Sequence, residues 1–356
     1  MAATSRTPAC LVHGSINMQD EFFKASPAHC ESRIILGETI SSTEYSQRPG
    51  GKGETISSTE YSQRPGGKGA NQAVAVAASG STVEFAGSVG SDGAWLKVGE
   101  EFLEDRGVGT NLMLVHEGKP SGRAIIQTTP DGENAIFLFP GTNHVSYPAG
   151  TSALRPYHTH LLLQNEILLS DTVETLRAAY QQGVVSIFNP SPMLSPEELR
   201  LFPWEKLSVL VVNQGEARTL LNALGKQGEK LADSDGKTIL GALVSLPALS
   251  NLSGIVITLG GSGAIASFST PTSRETVQLP AAKVKVADTT GAGDTFLGYF
   301  CGSLMRIPGK AWDAKQLTEA LKRSIVAAGL STERPGAMSS IPSNLEVESQ
   351  LSIYHN

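Results

Sequence analysis

Four short runs of apolar residues constrain the fold most strongly. They read THLLLQ, VVSIFN, SVLVVN and GIVITL, at 159–164, 184–189, 208–213 and 254–259. Runs this short and almost continuously apolar are typical of strands buried on both faces of a parallel sheet. Helical patterns at 172–182 and 216–224 lie between them, so strands and helices alternate. This alternation predicts an α/β fold with a doubly wound, mostly parallel sheet flanked by helices.

Two stretches interrupt the alternation. Residues 18–62 show no helical pattern, and residues 111–140 contain strand-like runs separated by Glu-Gly-Lys and Pro-Asp-Gly turns. We expect both to form a small antiparallel β lid over the mouth of the sheet, within a single domain spanning 1–356. Such a lid would exclude water from a transfer reaction. An ordinary extension of the sheet edge fits the same pattern.

The segment GETISSTEYSQRPGGK occurs twice in succession, at 37–52 and 53–68. The first copy leads into Glu54 and Thr55, which begin another β-like segment. The second leads into the helix pattern ANQAVAVAAS at 70–79, so only its glycines lie at a helix N-terminus, where backbone donors are free. We therefore expect the second copy to bind a ligand and the first to be a passive duplication lying in the lid. An error of annotation or assembly is an alternative origin for the repeat.

Composition excludes several functions. The net charge of −6 argues against a broad nucleic-acid surface, so an anionic ligand would have to be held locally. No apolar run approaches the length of a membrane helix. The three cysteines are far apart and form neither a disulfide framework nor a zinc pattern. We expect no nucleic-acid or membrane partner and a location in a reducing compartment.

The run VADTTGAGDTF at 286–296 is the most informative motif. Its glycines precede a helix pattern, and unobstructed N–H groups at a helix N-terminus favour an anion such as a phosphoryl group. Asp294 would repel a phosphate, so we interpret it as a base that takes a proton from an attacking hydroxyl. The alternative interpretation is a helix cap at Asp294 and a tight turn at the glycines.

Motifs in order along the chain resemble the ribokinase family of carbohydrate kinases, which also includes fructokinase and adenosine kinase. They are GSIN at 14–17, GGKGANQ at 66–72, QNE at 164–166, NPSP at 189–192, NQGEA at 213–217, TLGGSG at 258–263 and DTTGAGDTF at 288–296. The resemblance covers nearly the whole chain. It implies ATP-dependent phosphorylation of D-ribose at O5 by in-line phosphoryl transfer, with ATP and D-ribose as partners.

The resemblance also implies roles for individual residues. Asp294 would deprotonate the 5-hydroxyl, within an anion hole formed by Gly291, Ala292 and Gly293. The residues expected to bind the sugar, besides Asp294, are Ser15, Ile16, Asn17, Asp20, Gly67, Lys68, Gly69, Ala70, Asn71 and Glu166. Those expected to bind the nucleotide are Asn213, Thr258, Leu259, Gly260, Gly261, Ser262, Gly263 and Gly293.

Two cations follow from the same resemblance. Mg²⁺ would arrive with ATP and bridge its phosphates, with Glu216 orienting it through water. A monovalent cation such as K⁺ would be held largely by carbonyl oxygens, which suit a hard cation. The residues expected around it are Asp288, Thr290, Ser331, Arg334, Gly336 and Ser340. We also expect a homodimer that forms through the lid. The expected location is cytoplasmic and also nuclear.

The chain departs from the family pattern in two places. The family has Asn-x-Asp after the first strand, whereas this chain reads Asn17-Met18-Gln19-Asp20. Either Gln19 or a displaced Asp20 takes the place of the aspartate, and we favour Asp20, which would need a bulge to face inward. The repeat is the second departure. The alternatives are therefore a kinase of another furanose or a nucleoside, or a sugar-binding homologue whose catalysis the lid insertion impairs.

Overall fold

The computed structural model describes residues 7–24, 39–41, 58–93, 99, 102–128, 134–148, 151–225, 235–270, 273–307 and 312–354. Its strands are β1 (Ala9–His13), β2 (Asn17–Lys24), β3 (Thr39–Ser41), β4 (Ser58–Gly66), β5 (Thr82–Ala86), β6 (Ser88–Gly90), β7 (Val108–Gly109), β8 (Leu114–His116), β9 (Gly122–Thr128), β10 (Asn134–Phe139), β11 (His160–Leu163), β12 (Val185–Phe188), β13 (Val209–Asn213), β14 (Gly254–Thr258), β15 (Ala264–Ser269) and β16 (Arg274–Leu279). Its α-helices are α1 (Lys68–Ala78), α2 (Leu169–Gln181), α3 (Pro196–Leu201), α4 (Gln214–Leu224), α5 (Gly236–Val244), α6 (Ala292–Met305), α7 (Ala314–Ser331) and α8 (Asn344–Leu351).

The main sheet has the strand order β16-β15-β14-β13-β12-β11-β1-β5-β7. The strands from β14 through β7 in this order pair in parallel, and β15 and β16 add an antiparallel edge. The four apolar runs of the sequence form β11 to β14, which lie side by side. The predicted α/β fold with a mostly parallel sheet is confirmed.

Helices cover both faces of this sheet, and alternate residues of each strand pack against opposite layers. In β11, Leu162 belongs to the core under α1, α6 and α7, whereas Leu161 and Leu163 belong to the core under α2, α4 and α5. All three side chains are fully buried, which stabilises the fold by about 2 kcal/mol each. Burial on both faces explains why the run is apolar without interruption. In the described part of the chain, no helix is both long and apolar enough to cross a membrane.

The strand order reverses at β1. From β1 the chain continues outward through β5 and β7 on one side, and from β11 through β12, β13 and β14 on the other. The carboxyl ends of β1 and β11 therefore lie together at the switch point, where ligands of open α/β sheets bind. Residues 14–17 and 164–166 follow these two strands directly.

A second sheet, with the order β3-β10-β9-β2-β4, forms the lid. It is mixed rather than antiparallel, because β2 runs parallel to β9 and β3 runs parallel to β10. Parallel pairing is possible here since long stretches of the chain separate these strands, so no hairpin imposes the opposite direction. Residues 114–116, which we expected in the lid, pair instead with β6 in a separate two-stranded sheet.

The lid takes one strand from each copy of the repeat. Strand β3 comes from the first copy and pairs with β10, while β4 comes from the second copy and pairs with β2. Only the second copy can supply β4, because β4 must lead directly into α1. The first copy thus contributes a strand to the lid, and its passivity toward the ligand stays a prediction. Residues 42–57, between these strands, lie outside the described residues.

Candidate active site

The N-terminus of α6 begins at a glycine that no other residue could replace without strain. Gly291 caps this helix with φ of 76°, and a Cβ there would lie 2.9 Å from the Cα of Ala337. No side chain caps the first turn, and a Cβ on Gly293 would meet nothing within 4 Å. The first turn of α6 therefore opens onto free space, where its N–H groups and the helix dipole favour an anion.

Asp294 lies in this first turn and contacts α1. Its side chain is 7% exposed. One carboxylate oxygen accepts a hydrogen bond from Asn71 Nδ2 at 2.8 Å, and the other accepts one from Gln72 Nε2 at 2.9 Å. The structure thus brings together the two motifs that the sequence singled out, although they are more than two hundred residues apart.

Small residues let α1 and α6 approach closely enough for this contact. Gly298 and Gly302 lie one turn apart on the same face of α6. A Cβ on Gly298 would lie 2.3 Å from the Cβ of Ala75, and one on Gly302 would lie 2.0 Å from the hydroxyl of Ser79. Any larger residue would separate the helices and withdraw the amides of α1 from Asp294.

The N-terminus of α1 is also tied to the ends of β1 and β11. Glu166 accepts hydrogen bonds from Ser15 Oγ at 2.5 Å and from the backbone N–H of Lys68 at 2.9 Å. The N–H of Ala70 donates to the carbonyl of Ser15 at 2.9 Å. A Cβ on Gly69 would lie 2.6 Å from the Ser15 nitrogen, so glycine is required there. The expected sugar-binding residues of three separate segments therefore form one cleft wall.

The cleft concentrates charge around Lys68. Burial alone would lower the pKa of Lys68, but the carboxylates of Asp294, Glu166 and Glu216 together outweigh burial and raise it. Burial raises the pKa of Glu166, and the positive charge of Lys68 and two hydrogen bonds offset this only in part. Lys68 is therefore a cation at neutral pH and can attract phosphate oxygens.

Asn143 fixes the loop after β1, and no sequence motif indicated it. Its Oδ1 accepts a hydrogen bond from the N–H of Ile16 at 3.0 Å, and its Nδ2 donates to Asn17 Oδ1 at 2.7 Å. A Cβ on Gly122 would lie 2.1 Å from Asn143 Nδ2. Asn143 thus fixes the side chain of Asn17, an expected sugar ligand, through this hydrogen bond. Its position in the Gly-Thr-Asn-His turn after a lid strand is the only signal in the sequence.

Gln19, rather than Asp20, lies beside the turn that we expect to bind the sugar. The register of β2 against β4 is continuous over 17–23, so the bulge that would turn Asp20 inward is absent there. A Cβ on Gly66 would lie 2.2 Å from Gln19 Nε2, which places this amide against the turn.

Asp20 occupies the opposite face of the lid sheet. Its carboxylate accepts hydrogen bonds from Tyr61 Oη at 2.7 Å and Gln63 Nε2 at 2.9 Å, and it pairs with Arg123 at 3.3 Å. Its register partner Ile125 shares this face and is 36% exposed. The structure therefore contradicts our expectation that Asp20 contacts the sugar, because strand alternation alone decides its face.

A cavity of about 840 Å³ adjoins the first turn of α6. Of the expected nucleotide and anion-hole residues, those that line it are Thr258, Gly260, Gly261, Gly263, Ala292 and Gly293. Sequence reasoning missed its apolar wall, which includes Val284, Val286, Phe296 and Ile325. An apolar wall suits a nucleobase, and the glycines leave room for phosphates.

Three expected nucleotide residues, Asn213, Leu259 and Ser262, do not line this cavity. Asn213 lies nearby, because it is the register partner of Thr258. Its Oδ1 accepts a hydrogen bond from the N–H of Glu216 at 2.8 Å and caps α4. The Asn-Gln-Gly-Glu run therefore has at least a structural role as a capping box.

Asp288 joins two loops at the edge of the cavity. It accepts hydrogen bonds from the N–H of Gly336 at 2.7 Å and of Thr290 at 2.9 Å. Burial alone would raise its pKa, but the hydrogen bonds from Thr290 and Gly336 and the positive charge of Arg64 together outweigh burial and lower it. The carbonyl of Thr332 also accepts the N–H of Asp288 at 3.0 Å. Of the six expected cation-binding residues, Asp288, Thr290 and Gly336 are thereby brought together.

The side chains of three of these residues have other partners. The hydroxyls of Ser331 and Ser340 donate to backbone carbonyls at 2.8 and 2.9 Å, and Arg334 forms an ion pair with Glu346. Their carbonyl oxygens and the lone pairs of the two serine hydroxyls are the groups that could serve a cation. One ionised carboxylate with carbonyl oxygens suits a hard monovalent ion, so these residues fit it. Within the described ranges, no group of three or more His, Cys, Asp or Glu side chains could hold a metal ion.

Comparison with known proteins agrees with this geometry. A family model described as pfkB family carbohydrate kinase matches residues 32–344. The chain belongs to this family.

Similar proteins include several ribokinases. The ribokinase of Schizosaccharomyces pombe is 32% identical over 294 residues, covering 81% of this chain and 86% of that protein. A bifunctional ribokinase/ribose-5-phosphate isomerase A of Fructilactobacillus sanfranciscensis is 29% identical over 88% of this chain, which spans 51% of that protein's length. The solved structure of ribokinase from Cryptococcus neoformans var. grubii serotype A in complex with ADP is 39% identical, with a TM-score of 0.76, covering 96% of this chain and 99% of that chain.

Proposed function

We propose that this carbohydrate kinase transfers the γ-phosphoryl group of ATP to O5 of D-ribose, giving ribose 5-phosphate and ADP. The observation that carries the proposal is the placement of Asp294. This carboxylate lies in the first turn of α6, beside the nucleotide cavity, and contacts Asn71 at the start of α1. The naming of similar proteins as ribokinases supports ribose as the sugar.

Each group in the cleft has a part in the transfer. The 5-hydroxyl gives its proton to Asp294 as O5 attacks the γ-phosphorus, and the bond to the ADP oxygen breaks. The N–H groups around Gly293 and the ammonium of Lys68 offset the negative charge on the moving phosphoryl group, and one such donor can be worth about 3 kcal/mol. Mg²⁺ bound with ATP would neutralise the charge of the ATP phosphates. Glu216, whose negative charge helps to raise the pKa of Lys68, would orient this Mg²⁺.

Asn71 connects the base to the sugar. Its Nδ2 donates to Asp294, while its Oδ1 is buried and has no hydrogen-bond partner among the described residues. A buried acceptor without a partner is costly, and a sugar hydroxyl that donates to Oδ1 would satisfy it. On the other side of the turn, the Gln19 amide offers both a donor and an acceptor to a hydroxyl pair.

The test of sugar specificity is an ADP-release assay with ribose, deoxyribose, fructose and adenosine. We expect ribose to give the highest kcat/KM. Faster turnover of fructose or adenosine would support a kinase of another furanose or a nucleoside. ADP binding without turnover of any of the four would support a catalytically impaired homologue.

We further propose that K⁺ binds between the two loops that Asp288 joins, and this supplies another prediction. K⁺ should raise both kcat and the Tm of the wild type, because an ion that binds only the folded state stabilises it by about 2.7 kcal/mol at one hundred times its Kd. Asp288→Asn should lose both effects. Choline chloride at equal ionic strength is the control for screening. Equal K⁺ effects on the two proteins would contradict this site.

A homodimer through the lid is also a proposal. Tyr61, Ile125 and Phe139 are 57%, 36% and 38% exposed on the lid sheet, and light scattering of the purified protein would measure the association. The cytoplasmic, and also nuclear, location stays a prediction.

A further inference from the structure

We propose that Gln72, itself oriented by Gln164, is a positioning residue that holds the carboxylate of Asp294 in its reactive orientation without touching the sugar. The proposal rests on the function proposed above, in which Asp294 is the base. It concerns two glutamines for which the sequence analysis gave no role.

The three side chains form a chain of hydrogen bonds behind the cleft. Gln72 Nε2 donates to Asp294 Oδ1 at 2.9 Å, and Gln164 Nε2 donates to Gln72 Oε1 at 2.6 Å. Both glutamines are 0% exposed. Water therefore does not compete for these bonds, and a buried polar network of this kind fixes side-chain orientation.

The direction of the chain follows from the charge of Asp294. An ionised carboxylate only accepts hydrogen bonds, so the amide of Gln72 must turn its NH₂ group toward Asp294. Its carbonyl oxygen must then face away, and Gln164 supplies the donor there. If the Gln72 amide were flipped, oxygen would face oxygen at one end and NH₂ would face NH₂ at the other. Gln164 therefore reinforces the orientation of Gln72 that the charge of Asp294 imposes.

This series of hydrogen bonds begins at the main sheet, where Gln164 is located. Gln164 directly follows β11, and a Cβ on Gly14 would lie 2.1 Å from Gln164 Oε1. The amide of Gln164 is thus packed against the backbone after β1, at the switch point of the sheet. Through Gln72 and Gln164, the carboxylate of Asp294 on α6 is therefore connected to the central strands of the main sheet.

Asn71 and Gln72 are neighbours on α1, but they differ in which side-chain atoms are still available to hydrogen-bond a ligand. Asn71 gives one amide hydrogen bond to Asp294 Oδ2 and leaves its Oδ1 without a partner. Gln72 uses its nitrogen for Asp294 and its oxygen for Gln164. Asn71 can therefore bind the sugar as well as the base, whereas Gln72 acts only through the base.

The test is Gln72→Met, which keeps the volume of the side chain and removes the donor. We expect kcat with ribose to fall about 100-fold, because a misplacement of about 1 Å at a reacting group costs this much. The acid limb of the pH profile of kcat should move to higher pH, since removing a donor from a carboxylate disfavours its ionised form. ADP affinity, measured by calorimetry, should stay within about twofold of the wild type, and Gln164→Met should show the same changes with smaller size.

Two controls separate positioning from general destabilisation. Asn189→Leu removes another buried amide, which donates to the carbonyl of Val211 and has no contact with Asp294. It should leave the acid limb in place. In an Asp294→Ala background, which lacks the carboxylate and adds no donor, Gln72→Met should have no further effect on residual turnover, because its effect passes through Asp294.

The outcomes also separate this proposal from the function it rests on. If Gln72→Met does not fold, Gln164→Met carries the test, because it removes the donor that holds the Gln72 amide and adds no charge beside Asp294. An unmoved acid limb and an unchanged kcat in a folded variant would overturn the role of Gln72. Failure of the wild type to release ADP with ribose, in the same assay, would instead overturn the proposed function.

Discussion

Replacing Asp294 with asparagine is expected to lower kcat for ribose phosphorylation by about 10³-fold, within the range that a general base contributes. Asparagine has nearly the same shape but cannot accept a proton from the 5-hydroxyl. ADP binding should remain near normal, because the cavity lies beyond Gly293 and does not depend on this carboxylate. Steady-state ADP release and calorimetric titration with ADP measure the two quantities.

The design needs two accompanying variants. Asparagine at 294 would turn an NH₂ group toward Asn71 or Gln72, both of which donate to the carboxylate, so Asp294→Ala excludes this repulsion as the cause. Asp171→Asn is the matched control, because Asp171 is buried to a similar degree and its carboxylate accepts the N–H of Tyr147 rather than a donor on α1. If either Asp294 variant kept most of the wild-type kcat, Asp294 would not be the base.

The main sheet was predictable because each of its buried strands has a recognisable local sequence pattern. The runs expected at 208–213 and 254–259 form β13 (Val209–Asn213) and β14 (Gly254–Thr258). Burial on both faces leaves no alternative to apolar residues at successive positions. The handedness of the crossovers limits the possible strand orders, and the order itself was not predicted.

The lid was less predictable because its strands pair with segments that are remote in the sequence. The parallel pairing of β2 with β9 joins residues about a hundred positions apart, and no local pattern encodes it. The face of Asp20 depends on whether β2 contains a bulge, and a one-residue difference reverses the answer. The use of β3 from the first copy of the repeat depends on β10, which is remote in sequence.

The site was predictable where a motif carries its own geometry. The glycines at 291 and 293 permit an open helix N-terminus, and the helix pattern follows them directly in the sequence. Gln72 and Gln164 could not be assigned in the same way, because the role of a buried amide is visible only once its partners are known. The cavity wall at 281–286 has no regular period, so no pattern marks it.

The repeat supplies a second prediction of large effect, with a control built into the chain. Lys68→Ala should lower kcat/KM for ribose about 100-fold, because it leaves Glu166 and Asp294 without the cation that offsets their burial and repulsion. Lys52→Ala, sixteen positions earlier in an identical segment, should stay within about twofold of the wild type. Initial rates over a range of ribose concentrations measure both.

Point substitutions are required here because a deletion cannot distinguish the copies. Removing 37–52 or removing 53–68 yields the same polypeptide, since the two segments are identical. The same holds for removal of 42–57. A deletion variant therefore tests whether the extra sixteen residues matter, and it says nothing about which lysine binds.

The first copy cannot replace the second when Lys68 is lost. For Lys52 to enter the cleft, a helix would have to follow Gly53, and that helix would have to present amides to Asp294. Gly53 is followed by Glu-Thr-Ile, whereas Gly69 is followed by Ala-Asn-Gln, which supplies both of the amides that hold the base. A strong loss in Lys52→Ala, or a small one in Lys68→Ala, would mean that the first copy reaches the site and that the lid pairs differently from the arrangement of β3 and β4.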